Sequence, residues 1–137
     1  MQITRQADYA VRAIFYLSRL GVTGHAITRT IAEEQCIPPS FLSKIISQLS
    51  VAGLLETSRG ARGGVTLARE PGTISLLEVI EAIDGPLRLN ECIGDDTLCT
   101  FERKCPARSV WCEAQVELMN RLKHTTFEQS LFQPQIA

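Results

Sequence analysis

No run of eighteen or more apolar residues occurs in the 137-residue chain, and its opening, Met1-Gln2-Ile3-Thr4-Arg5, lacks the basic-then-apolar build of an export signal. Neither a membrane span nor secretion is expected, so the chain is read as cytoplasmic. Histidine is scarce: His25 and His124 both lack a neighbouring serine, cysteine or acid set as nucleophile and base, and both read as surface residues. The adjacent acids Glu33-Glu34 and Asp95-Asp96 diverge on helices or lie in loops, where solvation is their role. Gly60, Gly63 and Gly64 lead into a strand rather than a helix, so no phosphate-binding loop is present. An enzyme with a small-molecule substrate is therefore not expected. Cys-x-x-Cys pairs are absent too, which argues against the paired ligands of most structural zinc sites.

With 45% hydrophobic and 21% charged residues, the chain has the composition of one compact domain. A net charge of −1 conceals an asymmetry. Residues 1–70 carry eight Lys/Arg against five acids, a net of +3, whereas residues 71–137 carry six against ten, a net of −4. A mildly basic front half suits a polyanion only if its cations share one surface, so their placement matters more than their number.

Ala7, Val11, Ile14, Phe15 and Ser18 recur at helical spacing, with Thr4 placed to cap and Gly21 just past the end, so a first helix is expected over Arg5–Leu20. A second, short helix is expected from a capping Thr28 to Gln35, with Cys36 near Ile37 as a small buried hydrophobe. Pro39 suits the first turn of a third helix, whose Leu42, Ile45, Ile46, Leu49 and Ala52 form one apolar face before Gly53. Its opposite face holds Ser40, Ser43, Lys44, Ser47 and Gln48, small or hydrogen-bonding groups with no acid among them. Such a face can be simply solvated, or it can approach DNA closely.

Leu54 to Thr57 and Val65 to Ala68 read as strands of a hairpin whose tip, Ser58-Arg59-Gly60-Ala61-Arg62-Gly63-Gly64, is basic and glycine-rich. An opening helix, two helices joined by a tight turn, and such a hairpin form, in that order, a winged helix-turn-helix, with the third helix in the major groove. Arg59 and Arg62 on the wing suit the minor groove, where the potential is most negative. Ser75 caps a fourth helix ending at Asp84-Gly85-Pro86, and a last long helix is expected from about Ala107 to Phe127, followed by a frayed tail over 128–137. Its apolar stripe Val110, Ala114, Leu118, Leu122, flanked by Trp111 and Met119, exceeds what so small a domain needs and predicts pairing with a symmetry mate.

Five cysteines in a chain without an export signal read as thiols or metal ligands, because the cytosol keeps thiols reduced. Cys92, Cys99, Cys105 and Cys112 are separated by six, five and six residues in a region, 87–106, without clean periodicity. Loop thiolates at irregular spacing can wrap an iron–sulfur cluster. Were the last helix to begin at about Cys105, the two Cα atoms of Cys105 and Cys112 would stand roughly 10 Å apart, too far for joint ligation of one small cluster.

The residues Ile3 to Ala10, Ile37-Pro38-Pro39-Ser40-Phe41-Leu42, Leu54-Leu55, the wing from Ser58 to Gly64 and the cysteine loop between 92 and 105 together resemble the Rrf2 family of bacterial transcription regulators, over nearly the whole chain. The resemblance implies a homodimer paired through its C-terminal helices, an iron–sulfur cluster, [4Fe-4S] in preference to [2Fe-2S], and promoter DNA bound according to cluster state. IscR-like members place a histidine three residues after the third cysteine, a position held here by Arg108. NsrR-like members recruit a carboxylate from the first helix of the other subunit, which maps onto Asp8 and makes Cys92, Cys99, Cys105 and the partner's Asp8 the implied ligand set. Asp8 and Arg12, at i and i+4, equally make a surface ion pair. Because the gap from Cys92 to Cys99 is one residue off the IscR-like spacing and Cys112 is an additional thiol, an all-cysteine site stays open.

The expectation is thus a mainly α chain: a winged helix-turn-helix over 1–70, a sensor loop and dimerisation helix over 71–127 forming one unit with it, and a tail over 128–137. The function expected is an iron–sulfur-dependent repressor that binds duplex promoter DNA and senses iron, redox or nitric oxide status. The alternatives are a regulator switched by a thiol–disulfide pair or zinc, and a protein-interaction module without DNA.

Overall fold

A computed structural model describes residues 2–21, 24–60, 63–90, 92–93 and 104–128. The chain runs α1 (Arg5–Leu20), α2 (Thr28–Gln35), α3 (Pro39–Val51), β1 (Leu55–Ser58), β2 (Gly64–Leu67), a single 3₁₀ turn (Pro71–Thr73), α4 (Leu76–Asp84) and α5 (Arg108–His124). The architecture is mainly helical with a two-stranded antiparallel sheet, as the residue pattern predicts.

Local chemistry sets most boundaries. Thr4 caps α1 by accepting the Ala7 N–H at 3.2 Å, and Gly21, at φ 81°, ends it. Thr4 also donates its hydroxyl and its N–H to the Asp84 carboxylate, so the start of α1 is tied to the end of α4. Pro39 occupies the first turn of α3, where its missing N–H costs nothing. Ser75 and Glu78 form a reciprocal capping box at the start of α4. Thr28 does not cap α2: it is the first helical residue, behind Ile27, which offers no side-chain bond.

The hairpin register is Leu55↔Leu67, Glu56↔Thr66, Thr57↔Val65 and Ser58↔Gly64. Ala26 adds an antiparallel bridge to Val65, with both backbone bonds made, at 3.1 and 2.8 Å. Buried Leu55, Val65 and Leu67 root the strands in the main core beside Ile14, Leu17, Ile31, Leu42, Ile45, Leu49 and Val79. One hydrophobic cluster therefore draws on both halves of the chain. A second, smaller one joins Ala7, Ile80 and Leu87, with Leu118, Met119 and Leu122 packed against it.

Three further expectations are corrected. Cys36 is exposed, not buried: as the C-cap of α2 it adopts the left-handed conformation, φ 53°, and Ile37 turns inward in its place. The last helix ends at His124 rather than Phe127. Beyond it the chain turns back onto the start of α4: Thr126 bridges to Ser75, Leu76 N–H donates to Thr125 C=O at 2.8 Å, and Phe127 N–H donates to Pro71 C=O at 3.2 Å. Phe127 is fully buried in the main core. Finally, α5 begins at Arg108, so Cys105 precedes the helix and the 10 Å separation argued for Cys105 and Cys112 loses its premise. The tail beyond Glu128 lies outside the described residues.

Candidate functional site

Two surfaces carry the expected chemistry. On the first, α3 buries Leu42, Ile45, Ile46 and Leu49 and turns Ser40, Ser43, Lys44 and Ser47 to solvent. Gln48 sits half-buried at the edge, its Oε1 without a hydrogen-bond partner among the described residues. Ser43 donates its hydroxyl back to the Pro39 carbonyl at 3.3 Å. Val51, 88% exposed, is an apolar member of the open face that sequence reasoning passed over. The signal was present: 40, 44, 47 and 51 share one helical stripe, and 51 falls outside the buried register 42, 45, 46, 49.

The helix-turn-helix is held to α1 by a small aromatic and cationic joint. Tyr9 packs against Phe41 with ring centroids 6.2 Å apart. The Arg12 guanidinium lies 5.3 Å from the Tyr9 centroid, donates to the Gln35 carbonyl at 3.4 Å and pairs with Asp8 at 2.7 Å. Arg59 is exposed at the wing tip beside Gly60, whose φ of 99° a side chain rarely adopts. Gly63 N–H closes the tip on Gly60 C=O at 2.9 Å, and Arg62 lies outside the described residues. A serine- and lysine-faced helix and an arginine-bearing tip, with no acid on the helix face, carry the groups that contact phosphates and base edges.

A profile of the Rrf2 family, described as an iron-dependent transcriptional regulator, matches residues 3–132. The chain belongs to the Rrf2 family. The HTH-type transcriptional regulator NsrR of Shouchella clausii is 31% identical over 127 residues, covering 92% of this chain and 85% of its own. CymR, the global cysteine regulator of B. subtilis, superposes with a TM-score of 0.80 at 26% identity over 96% of both chains. IscR of T. potens superposes with a TM-score of 0.75 at 27% identity, covering 96% of this chain and 86% of that one. This Rrf2 chain is accordingly a winged-helix transcriptional regulator of a non-enzymatic, DNA-binding family.

The second surface is the thiol region between α4 and α5. Cys92 and Cys105 are half-buried free thiols, Cys112 is an exposed free thiol on α5, and Cys99 lies outside the described residues. Among the described residues no three His, Cys, Asp or Glu gather to hold a metal ion. The donor set is nevertheless of the right kind, because soft thiolates suit iron–sulfur clusters, and neither Cys92 nor Cys105 is spent in a disulfide. Asp8 is 52% exposed in its side chain and pairs with Arg12 of its own chain through Oδ2.

Around these thiols the packing is specific. Leu87 is buried in the smaller cluster, and Gln115, buried on the inner face of α5, donates to Leu87 C=O at 2.6 Å and accepts Leu89 N–H at 2.8 Å. The stripe Val110, Ala114, Leu118, Leu122 divides: Leu118 and Leu122 pack within the chain, Ala114 is half-buried, and Val110 is 57% exposed. Steps of four residues advance about 40° around a helix, so such a stripe slants off any single face. The inner face follows 115, 118, 119 and 122 instead, with Trp111 exposed, and its one polar member, Gln115, was missed because a polar residue interrupts an apolar pattern. No helix among the described residues is long and apolar enough to cross a membrane.

Proposed function

We propose that this Rrf2 regulator is a cytoplasmic homodimeric repressor whose grip on promoter DNA is set by an iron–sulfur cluster held on Cys92, Cys99 and Cys105, with Asp8 of the partner subunit as fourth ligand. The observation that carries the reading is the pair of half-buried, unoxidised thiols Cys92 and Cys105 at the two described ends of the segment between α4 and α5. Likeness to NsrR and IscR supports it. When bound, the cluster, [4Fe-4S] in preference to [2Fe-2S], supplies a centre sensitive to iron supply, redox state or nitric oxide. The chain's own residues do the rest. Ser40, Ser43, Lys44, Ser47 and Gln48 face the major groove, with Lys44 on phosphate, while Arg59 and Arg62 reach the minor groove. A dimer contact that includes Val110 on α5 sets the distance between two recognition helices, which must match half-sites about 34 Å apart.

Anaerobic purification with iron and sulfide analysis and absorption spectroscopy tests this. Cys92→Ala, Cys99→Ala and Cys105→Ala should each abolish the chromophore, Cys112→Ala should retain it, and Asp8→Ala should leave a cluster of lower stability. A Cys112 variant without cluster beside an unaffected Asp8 variant would establish all-cysteine ligation. Protein that never acquires iron or sulfide, yet binds operator differently when oxidised, would establish the thiol-switch reading; likeness to CymR, a cysteine regulator, fits a regulator without a cluster equally well.

A further inference from the structure

The backbone of residues 87–89 is held with unusual completeness for a segment leaving a helix. Leu87 N–H donates to Glu81 Oε1 at 3.4 Å, Leu87 C=O accepts from Gln115 Nε2, and Leu89 N–H donates to Gln115 Oε1. One side-chain amide thus serves the donor and the acceptor of a neighbouring irregular segment, and it does so with only 9% of the residue exposed. Leu87 adds an apolar peg, packed with Ala7 of α1 and Ile80 of α4 against Leu118 and Leu122 of α5. The segment is fixed to three helices at once.

Directly after the peg, Ile93 N–H closes a turn on Asn90 C=O at 3.1 Å, and Cys92 sits inside that turn. Three residues span at most about 11 Å, so Cys92 stays within that reach of the clamped Leu89 for as long as the two amide bonds hold. A buried amide that loses its partners is left with unsatisfied polar atoms, so the clamp has two distinct conditions, made or broken, rather than a continuum.

We propose that Gln115 is the positioning residue of the thiol region, holding the Cys92 turn at a set place on α5 so that any change at Cys92 is transmitted to that helix. The proposal deepens the sensor reading and rests on it for the identity of the signal, but the clamp itself is testable without a cluster.

In metal-free, reduced protein, short pulses of iodoacetamide followed by peptide mass spectrometry give the alkylation rate of each thiol. Gln115→Met preserves length and removes both bonds. Cys92 should then react about tenfold faster, as expected for loss of roughly one net buried hydrogen bond's worth of local stability, while exposed Cys36 stays within about twofold. A general loosening of the fold would move both thiols together. A folded Gln115→Met protein with an unchanged ratio of Cys92 to Cys36 rates overturns the proposal. Should that variant not fold, hydrogen exchange on the unmodified chain decides: protection of the Leu89 amide supports the clamp, and exchange as fast as a solvated loop amide overturns it.

Transmission is tested separately, as the ratio of operator affinities of cluster-loaded and metal-free protein. In Gln115→Met that ratio should fall toward one, and a ratio equal to that of the unmodified protein overturns the coupling. If the unmodified protein itself forms no cluster, the sensor reading fails while the alkylation result still stands.

Discussion

Replacing Phe127 by alanine probes the part of the chain that the residue pattern assigns to the end of a helix and the structure assigns to the core. Phe127 is fully buried, its N–H bonds to Pro71 C=O, and it belongs to the same cluster as Leu17, Ile74 and Val79. A buried aromatic removes about 150–250 Å² from water, which at about 25 cal/mol/Å² is about 4–6 kcal/mol as an upper bound. Alanine retains a fraction of that and leaves a cavity, and phenylalanine-to-alanine changes in cores cost about 3–5 kcal/mol. About 4 kcal/mol is a large share of the 5–15 kcal/mol that typically holds a domain together. Urea unfolding followed by circular dichroism, at fixed protein concentration because association of copies would shift the midpoint, should show this loss with little change in slope. A loss below about 1 kcal/mol would refute the reasoning, since it would mean that residues 125–127 do not seat against the start of α4.

Arg59→Ala should weaken operator binding by about 1 kcal/mol or more if the side chain enters the minor groove, and unchanged affinity would reject the wing contact. Lys44→Ala should weaken binding to matched and scrambled duplexes alike and flatten the salt dependence, whereas Ser40 or Ser43 substitutions should alter the preference between them. Glu78 has its carboxyl held below the usual range, first by the Arg69 guanidinium at 2.9 Å, against the opposing effect of partial burial, and then by the Ser75 N–H. Because the folded-state value is depressed, the stabilisation is present above the unfolded-state value and is lost as pH falls through the folded one. The thermal midpoint gap between the unmodified chain and Glu78→Gln should therefore be full above about pH 5 and close on acidification, and a gap independent of pH would discount the ion pair. Val110→Asp should yield monomers in sedimentation while keeping the helical content seen by circular dichroism; a persistent dimer would place the interface elsewhere. Leu118→Asp is the poorer probe, since Leu118 packs on the chain's own Ala7, Ile80 and Leu87.

Much of the fold was legible in the residues because it depends on local chemistry. Thr4, Gly21, Pro39, Ser75 and Gly85 act within one turn of their own position, and buried periodicity in α1, α3 and α4 needs no knowledge of the partner surface. The order of helix, helix, turn, helix and basic hairpin then left a winged helix-turn-helix as the economical arrangement. The serine and lysine face of α3 could be named from the same periodicity, since whatever is not buried must face out.

What tertiary structure alone decided is what depends on contacts far apart in sequence. Whether Phe127 ends a helix or enters the core turns on Pro71 and Ser75, more than fifty residues earlier, offering backbone groups that the returning chain completes. Cys36 is exposed because Ile37 takes the inward position in a turn that the sequence marks only by two prolines. Gln115, polar within an apolar stripe, is buried because two backbone groups of residues 87–89 meet its amide, a match of positions that no spacing along α5 encodes. Short-range rules choose helices, caps and strands, while the pairing of a buried polar atom is settled only when the distant segment that satisfies it arrives.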